Sequence, residues 1–308
     1  MQKDQHSYKA LVFGGSGFLG SYVVDELVER GHDVTVFDIS SPAARVTHTD
    51  KITHIRGDIM DMDAVMTAVR GHDVVYNCAG LADLNDSIGN PVDAVRLNVL
   101  GNTHILEACR QYAVTRFVYA STVYVFSQYG AVYGASKRSC ELLIEQYRRL
   151  YGLDFTIIRY GSVYGARADG HNRIYRILKQ ALTEQKITFK GDGSEEREYI
   201  HGKDAAKLSV DILDPSFRNQ SIMLTGVERF QYTQLLKMIA EILNNEVEIE
   251  FLNEEYKGHY NITPYSFTPT LGQKLVNNPS MDFGLGILEC VQALHQDLFP
   301  DMHNTPSD

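Results

Sequence analysis

The sequence predicts an α/β protein: a parallel, doubly wound sheet with a smaller C-terminal lobe interleaved with it. Three observations carry that expectation. Between Lys9 and Arg159, short runs rich in β-branched and aromatic residues alternate with longer amphipathic stretches, the rhythm of strands joined by crossover helices. The first run ends in a glycine-rich loop that opens a helix-like stretch. Beyond Arg159 the rhythm loosens, and most of the prolines (Pro264, Pro269 and Pro279 among them) fall where no period is strong.

Taken in order, Ala10–Phe13, Val34–Phe37, Ile52–Arg56, Val74–Cys78, Phe117–Ala120 and Phe155–Arg159 read as strands buried on both faces. Between them, Phe18–Arg30, Asp61–Val69, Val92–Tyr112 and Gly134–Tyr151 read as helices. Asn90 is a candidate cap for the third, with Pro91 at its first position. Gly31 and Gly71 punctuate two helix ends. Further on, Ile174–Glu184, Asp204–Leu213 and Gln231–Leu243 read as helices, Ser221–Thr225 as a strand, and Ile187–Gly193 as a segment closing on a GDG turn. The expected division is residues 1–160 with about 201–225 in the sheet domain, and about 161–200 and 226–308 in the lobe. The last residues, from Pro300, are expected to fray.

The 308 residues are 44% apolar and 22% charged, with a net charge of −10. That balance excludes wholesale disorder, and it argues against a chain whose task is to grip nucleic acid or an anionic membrane. The four cysteines (Cys78, Cys109, Cys140, Cys290) are scattered with no CxxC, and the histidines show no HExxH spacing, so neither a disulfide framework nor a metal site is expected. No signal-like or membrane-spanning run stands out. The expectation is a soluble, cytoplasmic protein with reduced thiols.

The loop Gly14-Gly15-Ser16-Gly17-Phe18-Leu19-Gly20 joins the first strand to the first helix. Backbone N–H groups at a helix N-terminus can approach a pyrophosphate there only if no Cβ intervenes. Two registers fit, Gly14-x-x-Gly17-x-x-Gly20 and Gly15-x-Gly17-x-x-Gly20. The second strand runs into Asp38, whose carboxylate suits an adenosine ribose and would repel a 2′-phosphate. A dinucleotide site follows, with NAD favoured over NADP and Arg45 the nearby residue able to reverse that choice. Two more loops fall at strand carboxyl ends: Gly57-Asp58-Ile59, with a carboxylate placed for an adenine amino group, and Asn77-Cys78-Ala79-Gly80-Leu81, whose small residues would let a cofactor lie on the backbone.

Tyr133-Gly-Ala-Ser-Lys137 opens the helix after the fifth strand, so phenol and ammonium share one face. A tyrosine base must fall from a pKa of about 10 to near neutrality, at ~4 kcal/mol. A cation ~4 Å away at an effective dielectric near 20 supplies about that much, and the helix N-terminus and an oxidised nicotinamide ring would add to it. Thr122, at the end of the fifth strand, can bond the same substrate oxygen.

The motifs GGSGFLG, Asp38, GDI, NCAGLAD, Asn98, YAST, YGASK, RYGSVYGAR and GDGSEEREYIH together resemble the extended short-chain dehydrogenases/reductases, in particular the NAD-dependent epimerase/dehydratase group acting on nucleotide sugars. The likeness runs from about Lys9 to at least Leu243. It implies a Rossmann sheet and NAD as cofactor. Gly14, Gly17 and Gly20 would cradle the pyrophosphate, with Phe18 and Leu19 at the helix start. Asp38 and Ile39 would flank the ribose, and Asp58 and Ile59 the adenine. Ala79, Gly80, Leu81, Asn98 and Tyr160 would complete the cofactor site, Tyr160 near the nicotinamide. Tyr133 is implied as the base and Lys137 as its electrostatic partner, with Thr122 beside the reacting oxygen. Ser162, Arg167, Asn172 and Arg197 are implied on the substrate side, Arg197 at the diphosphate. Such proteins commonly dimerise by pairing helices near Val92–Tyr112 and Gly134–Tyr151 into a four-helix bundle, so a homodimer is expected.

Departures from the family pattern bear on the reaction. Dehydratases of the group commonly carry Asp-Glu just after the strand-five threonine, where this chain has Val123-Tyr124. Val125-Phe126-Ser127 replaces the usual Val-Tyr-Gly, the link to Tyr133 is shorter than usual, and Ser162 stands where epimerases commonly have asparagine. The expected activity is oxidation at C4 of a nucleotide-diphosphate sugar to a 4-keto intermediate, followed by reduction from the other face: a 4-epimerase. The alternatives are a nucleotide-sugar 4-dehydrogenase that releases the ketone, GDP-heptose being one substrate suggested by the YAST and SK-CE details, and a noncatalytic NAD-binding regulator.

Overall fold

The computed structural model describes residues 7–127, 129–252, 273–275 and 280–299. Its first half runs β1 (Lys9–Phe13), α1 (Phe18–Glu29), β2 (Asp33–Asp38), β3 (Ile52–Arg56), α2 (Met62–Val69), β4 (Val74–Asn77), α3 (Leu84–Gly89), α4 (Pro91–Val95), α5 (Gly101–Gln111), β5 (Arg116–Thr122), α6 (Ala131–Tyr151) and β6 (Phe155–Tyr160). There follow β7 (Ser162–Tyr164), α7 (Arg173–Glu184), β8 (Lys186–Lys190), β9 (Glu196–His201), α8 (Gly202–Asp211), β10 (Gln220–Leu224), β11 (Arg229–Gln231), α9 (Tyr232–Ile242), β12 (Glu248–Leu252), β13 (Gln273–Leu275) and α10 (Phe283–Leu298).

Eight strands form one sheet in the order β3-β2-β1-β4-β5-β6-β10-β13, with every pairing parallel. The order reverses between β1 and β4. Loops diverge there and leave a crevice beyond the strand ends, where doubly wound sheets take their ligands. One face of the sheet buries Val12, Val36, Val118 and Ile158 under α1 and α8. The other buries Leu11, Phe37, Val75 and Phe117 under α2, α5 and α6. A third core, Tyr164, Ile177, Leu178, Leu235, Ile239 and Ile287 among it, lies wholly after residue 160. Two small sheets, β11-β9-β7 and β12-β8, stand outside the main one. β13, from within the stretch assigned to the lobe, pairs with β10 at the sheet edge.

Helix ends follow the local chemistry. Asp61, Asp83, Asn172 and Asp282 accept backbone amides at the starts of α2, α3, α7 and α10. Gly31 and Gly71, at φ +80° and +83°, carry the chain out of α1 and α2 in the left-handed conformation.

Several expectations need correction. β3 is not buried on both faces: it is the edge strand, with Thr53, His54 and Arg56 exposed. Asn90 precedes Pro91 as read, but its side chain makes no capping bond. The expected helix Val92–Tyr112 is interrupted by a π turn at Arg96–Leu100 between α4 and α5. Helix α10 falls in the stretch read as aperiodic, where Gly284 and Gly286 mask its pattern. Strands β7, β11 and β13 are too short to show a period. The expected fraying from Pro300 lies outside the described residues.

Candidate active site

β1 delivers the chain into the glycine loop at Gly14, whose φ is +74°. A Cβ on Gly14 would stand 2.6 Å from the backbone nitrogen of Ala79, and one on Gly20 would stand 2.1 Å from the carbonyl oxygen of Gly14. The turn therefore closes only with glycine at both positions. Gly15 instead packs beneath the loop, facing Val36 and Val24. Of the two registers, Gly14, Gly17 and Gly20 line the crevice. Gly17 stands at the N-terminus of α1, where the first amides have no helical acceptor.

A cavity of about 270 Å³ beside the loop is walled by Asp38, Ile39, Asp58, Ile59, Ala79 and Gly80. Asp38 is fixed by the amides of Ser16 and Ser40, each donating at 2.9 Å to a different carboxylate oxygen. Ile39 is 65% exposed, an apolar lid for a flat ring. Arg45 does not line this cavity: its guanidinium donates to Asp169 at 2.7 Å, to the carbonyl of Arg167 at 3.0 Å and to the carbonyl of Ser16 at 3.4 Å. The cradle, the carboxylate and the apolar slot together fit an adenine dinucleotide.

The adjoining cleft, about 470 Å³, brings Gly14, Phe18, Leu19 and Leu81 together with Thr122, Tyr133, Lys137 and Tyr160. β5 supplies Thr122 and α6 supplies Tyr133 and Lys137. Ser87 of α3 accepts the Tyr133 amide at 3.3 Å and so helps cap the start of α6. Burial pushes the Tyr133 phenol up to about 12, and its hydrogen bond with Thr122 opposes that rise. Lys137 lines the cleft with Tyr133. Its ammonium donates to the carbonyl of Ala120 at 2.8 Å and lies 4.8 Å from the centroid of the Tyr119 ring. Burial lowers the Lys137 pKa, with Cys140, Cys78 and Glu141 opposing. In the chain by itself burial outweighs the lowering of the phenol, and the oxidised nicotinamide ring expected to add to Lys137 is a contribution the chain's own groups do not supply. Tyr160 lines the cleft, while its hydroxyl shares a 2.6 Å bond with Ser209 of α8.

Four predicted residues do not line the cleft among the described residues. Asn98 stands behind the Gly80 loop: the Leu81 amide donates to its Oδ1 at 2.8 Å, while its Nδ2 donates to the carbonyl of Leu81 at 3.0 Å and to Ser136 at 2.9 Å. It holds the loop and has no donor left for a cofactor. Along β7, Gly161 and Val163 face the cleft and Ser162, between them, does not. Arg167 gives Nη2 to Asp25 at 2.5 Å and to Thr47 at 2.9 Å and lies over the face of Tyr22, while its buried Nη1 has no hydrogen-bond partner among the described residues. Burial works to raise Asp25, but Arg167 and Thr47 overcome it and hold the carboxyl below its usual range. Arg197 is buried on β9, donating to the carbonyl of Glu196 at 2.8 Å and lying 5.6 Å from the centroid of the Tyr232 ring. Asn172 does reach the cleft, while its side chain caps α7 and ties down the carbonyl of Val163.

Sequence reasoning missed Asp83, Asp86, Asp169 and His171 on the cleft wall. Arg176 bonds Asp83 at 3.3 Å, and His171 lies 2.9 Å from Asp169 and 3.5 Å from Asp86. Asp83 closes the NCAGLAD motif without a role read from it, and no motif or spacing announced the other three. Cys78 borders both cavities, but burial pushes its thiol up to about 12, so it is no nucleophile. No helix of the described residues is long and apolar enough to cross a membrane.

Residues 10–223 match the model of a family described as the NAD dependent epimerase/dehydratase family. The chain is 31% identical to the UDP-glucose 4-epimerase of Mycolicibacterium smegmatis over 244 residues, 71% of this chain and 78% of that one. It superposes on Thermus thermophilus UDP-glucose 4-epimerase in complex with NAD at a TM-score of 0.78 and 25% identity, covering 93% of this chain and 99% of that one. A UDP-N-acetylglucosamine 4-epimerase from Methanobrevibacter ruminantium shares the fold at a TM-score of 0.83 and 23% identity, with 94% and 99% covered.

Proposed function

We propose that this chain, which belongs to the NAD dependent epimerase/dehydratase family, inverts the configuration at C4 of a UDP-sugar through a 4-keto intermediate. Membership makes it an enzyme with NAD as cofactor, not a noncatalytic regulator. The observation that carries the reading is that one cleft gathers Thr122, Tyr133 and Lys137 opposite the glycines of the loop, Gly14, Gly17 and Gly20. The chain lacks an acid–base pair after Thr122, since Val123 and Tyr124 follow it, and this favours epimerisation over elimination.

Gly14, Gly17, Phe18, Leu19 and Gly20 would hold the NAD pyrophosphate, with Asp38 and Ile39 at the ribose and Asp58, Ile59, Ala79 and Gly80 around the adenine. When bound, the nicotinamide supplies a hydride acceptor and donor. Tyr133 takes the proton of the sugar's C4 hydroxyl at its phenol oxygen and returns it to the inverted product. Thr122 holds that oxygen in place, and Lys137 braces α6 against β5 from beneath. Leu81 and Tyr160 narrow the cleft and exclude water, which protects the ketone between the two transfers. A separate core after residue 160 supports about 161–200 and 226–308 as the sugar-nucleotide lobe.

The proposal includes a homodimer and a cytoplasmic location. Val92, Val95 and Leu100 are exposed, at 77%, 49% and 46%, beside an apolar groove that also includes Val132 of α6. A second copy pairing the same faces would cover them. The four thiols are free, in keeping with a reducing compartment.

The test is proton NMR of UDP-glucose, UDP-galactose and their N-acetylated counterparts incubated with the purified enzyme. Interconversion of C4 epimers without net reduction of NAD is expected. Accumulation of reduced cofactor and ketone would make it a 4-dehydrogenase, and no change in any sugar would sink the reading.

A further inference from the structure

Tyr133, Lys137 and Glu141 are spaced four residues apart on α6, one stripe down a single helix face. Each reaches a different one of three consecutive residues of β5. Tyr133 shares the cleft wall with Thr122, and the Lys137 ammonium donates to the carbonyl of Ala120 at 2.8 Å. The hydroxyl of Ser121 donates to Glu141 Oε1 at 2.7 Å. The first two contacts belong to the reacting groups. The third joins Ser121, on the cleft wall, to Glu141, which lines neither cavity.

Glu141 is fully buried, yet every lone pair direction is used. Arg159 grips it with two bonds, Nε to Oε1 at 2.8 Å and Nη2 to Oε2 at 2.9 Å. Arg138 adds a third cationic contact at 2.9 Å. Arg159 is the register partner of Ser121 in the β5–β6 ladder and immediately precedes Tyr160. The ring of Phe126 lies 4.7 Å from its guanidinium carbon, which ties in the segment following Thr122. One carboxylate therefore fastens the base-bearing helix to both strands at the positions just before Thr122 and Tyr160.

Stability alone does not explain this group, because well-packed apolar side chains often replace a buried ion pair without loss. Directional bonds do what apolar contacts do not: they fix the helix axially on the strand. We propose that Glu141 is a positioning residue that sets the register of α6 on β5 and so holds Tyr133 beside Thr122 on the cleft wall. A displacement of about 1 Å between reacting groups costs on the order of 100-fold in rate. The inference rests on the epimerase reading of the same site.

Glu141→Gln keeps the shape and the acceptor for Ser121 but loses the charge that Arg159 grips. Ser121→Ala removes the link to β5 at a residue that also lines the cleft, so faster exchange in 131–141 is the readout that a local change on the cleft wall would not move. Each variant is assayed for kcat, KM, retained NAD and amide exchange in 120–126 and 131–141. For Glu141→Gln a loss of about 10- to 100-fold in kcat is expected, with KM within about twofold, NAD retained and exchange faster in both segments. For Ser121→Ala the expected loss is about fivefold, the worth of one hydrogen bond. Wild-type kcat and exchange in Ser121→Ala would overturn the proposal, even if Glu141→Gln fails to fold. So would a loss of activity that merely tracks loss of NAD. If the wild-type protein turns over no UDP-sugar, the epimerase reading fails, while the exchange data still decide the clamp.

Discussion

Lys137 gives its ammonium to the carbonyl oxygen of Ala120, 2.8 Å away, so the cation braces a strand before it serves a base. With the charge held there, burial dominates the Tyr133 phenol and pushes it up to about 12. The remaining drop toward neutrality has to come from the positive ring of bound NAD. Protein stripped of cofactor should therefore keep the Tyr133 phenol protonated through pH 10. The pH profile of kcat for the loaded enzyme should show its basic group ionising well below that. Tyrosine-labelled NMR of stripped protein, compared with Tyr133→Phe, checks the first, and a kcat series from pH 6 to 10 the second.

Tyr133→Phe removes the proton carrier and leaves the ring's packing on Tyr124. We expect kcat to fall by about 10²- to 10⁴-fold, with NAD retained in full because the glycine cradle is untouched. Chromatography of cofactor released from denatured protein, beside the epimer assay, reads both.

Alkali should unfold this protein at a definite point. Burial raises Tyr22 and Tyr133 to about 12 and Tyr76, Tyr119 and Tyr199 well above the usual phenol value. A folded pKa above the unfolded one gives stability that is complete below the unfolded value, about 10, and is lost as pH rises through the folded value. The thermal midpoint should hold to about pH 10 and then fall steeply, with tyrosinate absorbance appearing together with unfolding. A midpoint flat to pH 12 would contradict the buried assignments.

Arg167 stands at a position where substrate binding was expected, but it is committed to Asp25 and Tyr22. Arg167→Met should cost about 3–5 kcal/mol, because it leaves a largely buried carboxylate unpaired. KM for the UDP-sugar should stay within about twofold. Denaturant unfolding and steady-state kinetics separate the two roles: a raised KM at unchanged stability would return the residue to the substrate site.

Val92→Asp together with Val95→Asp places two charges in the exposed apolar groove. The proposed dimer should dissociate, since two desolvated carboxylates would face their copies. Light scattering should report a single-chain mass for the variant and twice that for the wild type.

What could be read in the sequence was what the backbone itself demands. Gly14 and Gly20 are required by contacts under 3 Å, and the strand runs are required by a sheet covered on both faces, so both were legible. The position of Asp38 followed from the end of β2. Directions of long side chains were not legible. Arg167, Arg197 and Asn98 sit where family motifs put them, yet Arg167 turns to Asp25, outside every motif, and although Glu196 and Leu81 lie inside the motifs, nothing in a motif says that they hold Arg197 and Asn98. The link from Glu141 to Ser121 needed tertiary pairing, although its spacing from Tyr133 was plain on the page. Helix α10 was hidden because Gly286, a poor helix former, is there to admit the hydroxyl of Tyr164, which a Cβ would meet at 2.4 Å.

The sheet is completed by a strand from near the far end of the chain, β13, laid against β10 after the lobe's own elements have intervened. A nascent chain leaving the ribosome thus carries an open edge on β6 until β10 emerges, then on β10 until β13 does. No single excision can remove the lobe and leave the sheet whole. During synthesis the unclosed edge is the stage most open to wrong partners, and chaperone dependence should concentrate in that interval.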